Sequence, residues 1–209
     1  MHTKFTSIEP DKQARILNAA MKVFSQQGYE QASTNAIVQE AQISKGLLFH
    51  YFNNKKALYL YLYHYVVDNV VRDYYDKLDL AERDLLLRLR QHARLKIAMI
   101  RKHPELFAFI VSAVNERSAE VREELNRRNR ETIAGGLAKL LDGIDISRFK
   151  EGLDVSKALN IVIWTLEGFS AREQGQLDSH SPDDAYFEAI LAEMDTYLDL
   201  FRGAFYREG

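Results

Sequence analysis

The chain has 209 residues, 46 % hydrophobic and 28 % charged, with a formal net charge of −2 and no cysteine. That length and composition fit one or two globular domains with a sizeable core, and the missing thiols exclude disulfides and cysteine-ligated metals. Apolar runs reach only about half the ~20 residues of a membrane span, the N-terminus lacks a secretion-signal pattern, and a cytoplasmic location is expected.

The charge is unevenly placed. Residues 1–56 carry +3 and the remainder −5. A basic end and an acidic body fit DNA contact at the first and DNA repulsion elsewhere.

In chain order, residues 1–9 read as a loose arm, a frayed terminus from which Lys4 could otherwise touch a phosphate. Pro10 and Asp11 suit the first turn of a helix. Ile16, Ala19, Ala20, Val23 and Phe24 form its buried face, and Gly28 stops it. Residues 33–52 then predict two short helices joined by a tight turn. Thr34 is the expected cap of the first, and Ala36, Ile37 and Ala41 its apolar stripe. Ser44 caps the second, in which Leu48 and Phe52 face inward. Lys45, Gly46, Phe49, His50 and Tyr51 are left outward, as a major-groove reader requires: the glycine admits a close backbone, and the polar groups reach phosphates and base edges. The same spacing also fits an ordinary helical hairpin with a solvated face.

This stretch resembles the DNA-binding domain of the TetR family of bacterial regulators. The residues carrying the resemblance run from Arg15–Ala20 through Val23–Phe24 and Gly28–Tyr29. They continue at Thr34, Ile37, Ala41, Ser44–Gly46, Leu48–Phe52, Lys55 and Leu58, about a quarter of the chain. The resemblance implies DNA contacts from Thr34, Asn35, Ser44, Lys45, Gly46, Leu47, Phe49, His50, Tyr51 and Lys55. Three positions depart from the family pattern. Gln42 replaces a frequent turn glycine, so left-handed geometry is disfavoured there. Leu47 and Phe49 replace residues that bear hydroxyls, which implies apolar contact with DNA at those two places.

Residues 57–67 alternate apolar and polar as a strand would, but Leu58, Leu62, Val66 and Val70 also share one helical face. With no partner strand elsewhere in the chain, one helix over about 55–78 is expected. Further helices are expected over 82–102, 105–117, 118–141, 154–177 and from Ser181-Pro182 to about 206. The arginines at 122–130 alternate with glutamates and read as a solvated face rather than a nucleic-acid stripe. In the last helix Phe187, Leu191, Met194, Leu198, Phe201 and Phe205 form a heptad-like seam. That seam can be satisfied within one chain. The family resemblance instead implies that the last two helices pair with a second copy, through Val162, Leu166, Phe187, Leu191, Met194, Leu198 and Phe201.

No metal-ligand, nucleophile or phosphate-loop motif occurs, so no catalytic residue, metal or cofactor is assigned. The expected fold is all-α, with about nine helices: a helix-turn-helix domain over 10–70 and a regulatory, ligand-binding and dimerisation domain over 71–209. The resemblance implies a ligand-responsive repressor that binds a palindromic operator as a homodimer and is released by a small lipophilic effector. Apolar and aromatic excess on the body helices places that effector near Tyr61, Tyr65, Met99, Phe107, Ile110, Trp164 and Glu167. An all-α lipophile carrier or enzyme with a non-functional DNA head is the alternative.

Overall fold

The structure is a computed structural model that describes residues 3–177 and 183–208. Its helices are α1 (Thr3–Thr6), α2 (Pro10–Gln31), α3 (Thr34–Glu40), α4 (Lys45–Phe52), α5 (Lys55–Tyr65), α6 (Arg72–Tyr75), α7 (Leu85–Lys102), α8 (Pro104–Val114), α9 (Arg122–Leu141), α10 (Val155–Leu177) and α11 (Asp184–Phe205). Among the described residues the extended pairing is limited to one bridge, Phe149 with Tyr206. Among the described residues no helix is long and apolar enough to cross a membrane.

The helix starts follow capping chemistry. Ser44 Oγ accepts from the Leu47 N–H, Asn54 Oδ1 from Ala57 and Asp183 Oδ1 from Tyr186, each satisfying a donor that a first helical turn leaves open. Ser33 rather than Thr34 caps α3, because its hydroxyl accepts from the Asn35 N–H. Thr34 is already the first helical residue, so the sequence placed that cap one position late.

The single helix expected over 55–78 is not continuous. After α5 the chain widens into a π-helical segment, Val66–Val71, before resuming as α6 and ending at Tyr75. Asn69 Nδ2 donates to the Tyr65 carbonyl at 2.9 Å, competing locally for the backbone ladder.

Contacts divide the chain into two compact units, and neither ends at residue 70. The first takes the residues up to Asp76 together with Met99–Gly136; the second takes Lys77–Ala98 and 137–208. The first unit joins the N-terminal helices to α8. Phe109 of α8 and Phe24 of α2 are fully buried with Tyr59, whose ring meets both edge-on at 5.4 and 4.8 Å. The N-terminal arm also belongs to this core. Phe5 is fully buried, its ring 4.8 Å from Phe52 and 5.5 Å from Tyr61, so the expected loose arm is pinned by an aromatic anchor.

Glycine is required at two places in this unit. Gly28 (φ 68°, ψ 176°) interrupts α2 in backbone geometry closed to other residues and turns the Tyr29 N–H outward. Gly136 lets the Tyr75 ring lie against α9, where a Cβ would collide with the Tyr75 hydroxyl oxygen.

The second unit has its own core of Leu85, Leu86, Leu89, Phe149, Ala158, Val162, Met194, Leu198, Phe201 and Tyr206. Polar groups close its edge. Arg88 is fully buried and donates to the carbonyls of Leu80, Glu82, Leu140 and Asp142, tying the segment before α7 and the end of α9 to α7. Asp84, 1 % exposed, caps α7 through the Leu86 and Leu87 N–H groups. It also accepts from Arg148 Nη1 (3.0 Å), Arg202 Nη1 (3.1 Å) and the Tyr206 hydroxyl (3.2 Å). Burial works to raise the Asp84 pKa, but the Arg202 and backbone hydrogen bonds outweigh it and hold the carboxyl below its ordinary 3.8.

Candidate functional site

α3 and α4 are set across the turn at Ala41–Ile43. Ile37, Ala41, Leu48 and Phe52 are buried beneath them. Gln42 at the turn has φ 53°, the left-handed region that glycine prefers. The turn is held from α2, since Arg15 Nε donates to the Ala41 carbonyl at 3.0 Å and Lys22 pairs with Glu40 at 2.7 Å. Both helices are thereby fixed as one rigid element.

On the solvent side, Asn35, Ser44, Lys45, Gly46 and His50 are exposed, while Thr34, Leu47 and Phe49 are half-buried. Lys45 Nζ lies 6.0 Å from the Phe49 ring centroid. A Cβ built on Gly46 meets no protein atom within 4 Å. The fold therefore does not demand glycine there, and what it leaves is room for another molecule's backbone.

Two residues assigned to DNA face elsewhere. Tyr51 is only 9 % exposed, its ring 5.6 Å from Phe5, so it supports α4 from beneath. Lys55 Nζ donates to the Glu30 and Ala32 carbonyls at 3.0 and 3.3 Å, which makes it a brace for the end of α2. The spacing of the motif could not show this, because the carbonyls that receive Lys55 belong to a segment more than twenty residues earlier.

The head also carries a tie that the sequence did not suggest. The Tyr29 N–H freed by Gly28 donates to Glu116 Oε2 at 2.7 Å, and its hydroxyl to Glu120 Oε2 at 2.5 Å. Glu116 Oε1 accepts the N–H groups of Arg117 and Ser118. The loop between α8 and α9 thus grips the end of α2 within the first unit.

The expected effector residues are not gathered around one described cavity. In the first unit, Tyr61 packs on Phe5 and Phe52, Phe107 is buried, Met99 and Ile110 are half-buried, and Tyr65 is exposed. In the second, Trp164 is 66 % exposed and Glu167 is also on the surface. These two alternate with the buried positions of α10 rather than lying among them, because Val162 occupies its inward stripe. A cleft of about 390 Å³ does open in the second unit, lined by Asp84, Leu86, Leu87, Arg90, Arg148, Leu198, Asp199 and Arg202. Its arginines are engaged, Arg148 and Arg202 on Asp84 and Arg90 on Asp195.

The residues assigned to a subunit seam are also mostly internal. Val162, Phe187, Met194, Leu198 and Phe201 are all at most 9 % exposed within the single chain, and Leu166 and Leu191 are half-buried. Met194, Leu198 and Phe201 of the heptad-like seam belong to the second unit's own core, while Leu191 keeps part of its surface open. Among the described residues the large apolar groups left outside on α10 and α11 are Ile161, Trp164 and Leu200, at 45, 66 and 68 % exposure.

A capped helix pair across a braced turn, offering an exposed lysine, histidine and glycine from its second helix, defines a helix-turn-helix DNA-binding protein. A family model described as bacterial regulatory proteins, tetR family, matches residues 16–62. The fatty acid metabolism regulator protein of Bacillus subtilis is 27 % identical over 164 residues, 75 % of this chain and 80 % of that one. The HTH-type transcriptional regulator UidR of Escherichia coli K12 is 45 % identical over 53 residues, which cover 25 % of this chain and only 26 % of UidR. Among solved structures, a TetR family regulator from Chloroflexus aurantiacus superimposes with a TM-score of 0.66 at 18 % identity, covering 99 % of this chain and 98 % of that one. FadR from Bacillus subtilis in complex with stearoyl-CoA gives 0.59 at 19 % identity over 90 % of this chain and 96 % of that one. The structural likenesses establish the fold along nearly the whole length. Residues 16–62 of this chain carry the DNA-binding domain of the tetR family of bacterial regulatory proteins.

Proposed function

We propose that this regulator is a ligand-responsive repressor whose functional division falls near residue 70. In this reading a homodimer sets two copies of α4 in successive major grooves of a palindromic operator, and a lipophilic acyl effector releases it. The observation that carries the DNA half is the outer face of α4, where Lys45, Gly46 and His50 stand exposed on a helix capped and braced from behind. Support for the effector half comes from the Bacillus subtilis relative, which is named for fatty acid metabolism, and from the FadR structure, which holds stearoyl-CoA.

For the dimer, we assign the contact to the outer face of α10 and α11, not to the seam. Ile161, Trp164 and Gly168 recur at helical spacing on α10, and Ala189, Ala192, Thr196, Leu200 and Gly203 on α11. Three large apolar groups among small ones suit close helix packing. For the response, the grip of Glu116 and Glu120 on Tyr29 is the mechanical route. Displacing the α8–α9 loop tilts α2 and with it the helix pair. A coupling of about 1–3 kcal/mol between effector and operator is enough for five- to more than a hundredfold release.

Fluorescence anisotropy on the DNA upstream of the gene, titrated with long-chain acyl compounds, tests the reading. Specific binding relieved by an acyl compound is the expected result. Specific binding that no lipophile relieves would remove the effector half alone.

A further inference from the structure

One row of α7 changes character halfway along. Leu85 and Leu89 are followed at the same helical spacing by His92 and Lys96, so bases take over positions that the first two turns give to core leucines. Lys96 Nζ donates to Ser170 Oγ of α10 at 2.8 Å. Among the described residues no carboxylate pairs with it. Glu173, one turn along α10, is taken by Arg172 Nε at 2.9 Å and the Tyr186 hydroxyl at 3.1 Å. Glu167, one turn back, is exposed.

The setting is costly for a cation. Burial lowers the Lys96 ammonium from its ordinary 10.5. Burial first, and then the charge of Lys96, push the His92 imidazole down to about 4, so His92 is neutral near pH 7. Both residues nevertheless keep part of their surface open. Lys96 and His92 are thus crowded by protein yet still reachable from solvent. A lysine is rarely held in such a place without an anion, because a desolvated charge with no partner is strongly unfavourable.

We propose that Lys96, with the Ser170 hydroxyl beside it, anchors the carboxylate head of the effector. The donors suit that group. The ammonium offers one positive charge, and Ser170, having accepted from Lys96, still has its own O–H to give. One compensating charge matches a single carboxylate on an apolar tail better than a polyanion. This rests on the reading of the protein as effector-responsive and adds the head group to it.

The test compares hexadecanoate, hexadecanol and hexadecanoyl-CoA on the full-length protein by calorimetry. Native protein should bind the acid about tenfold or more tightly than the alcohol, the worth of one buried charge-assisted hydrogen bond. Lys96→Met keeps the length of the side chain and should erase that preference, weakening the acid about ten- to a hundredfold and leaving the alcohol unchanged. Ser170→Ala should lose a smaller part of it, and serves if the methionine variant does not fold. Retention of the full acid preference in Lys96→Met or Ser170→Ala, equal native affinity for acid and alcohol, or binding of the thioester alone would each overturn the head-group assignment while leaving an acyl effector in place. Failure of all three compounds to bind would overturn both.

Discussion

Lys55 lies over the ring of Tyr29, its Nζ 4.7 Å from the ring centroid and 3.0 Å from the Glu30 carbonyl oxygen. The first residue of α5 therefore locks the end of α2, next to the point where Glu116 and Glu120 take hold of the same tyrosine. Lys55→Ala should lower the melting temperature through loss of about 1–2 kcal/mol, from a charge-assisted hydrogen bond and a cation–π contact. The slope of log K against log salt for DNA should stay as in the native protein. A slope reduced by about 0.9 would mean that Lys55 neutralises a phosphate after all.

Gly46→Ala should separate stability from function. The position is open in the first turn of α4, so alanine should stabilise the head by a part of the roughly 1 kcal/mol that separates it from glycine in a helix interior. The added methyl group stands where a DNA backbone must approach, so operator affinity should fall. Melting curves and anisotropy on one preparation check both signs.

Trp164→Glu and Leu200→Glu should give folded monomers by sedimentation, with operator binding lost, because each charge sits on an exposed face. Leu198→Glu should behave differently. With 3 % exposure its charge would enter the core, and the expected result is unfolding rather than a clean monomer. A folded Leu198→Glu monomer would return the subunit contact to the α11 seam.

Asp84 should dominate acid sensitivity in the second unit. Its folded pKa is depressed, so its contribution is complete above the ordinary value of 3.8 and is lost as pH falls through and below it. Asp84→Asn removes the buried charge shared by Arg148 and Arg202 and should cost about 3–5 kcal/mol near neutral pH. The gap between native and variant melting temperatures should narrow as the pH drops below 4.

The tight turn is a smaller target. Gln42→Gly relieves a left-handed residue at a cost in chain entropy, for a net gain of up to about 1 kcal/mol, whereas Gln42→Val should lose more than that because its branched side chain resists positive φ. Urea midpoints of the three proteins should fall in the order Gly, Gln, Val.

What the sequence determined by itself is local. Capping serines, a breaking glycine and apolar residues at helical spacing act within a few residues of each other, so the all-α class, the extent of most helices and the outward Lys45, Gly46 and His50 of α4 were readable from the chain alone. The tertiary structure decided which of two available faces each helix buries. Periodicity marks Leu198 and Phe201 as a stripe, but only packing against Leu85, Leu89 and Val162 shows that the stripe is filled from within and that Trp164 and Leu200 remain outside. Partners distant in the chain were equally hidden: Lys55 with the carbonyls of residues 30 and 32, Phe5 with Phe52, and Lys96 with Ser170. Propensity and capping act over one helical turn, whereas a donor's acceptor or a ring's neighbour is set by where folding brings segments dozens of residues apart.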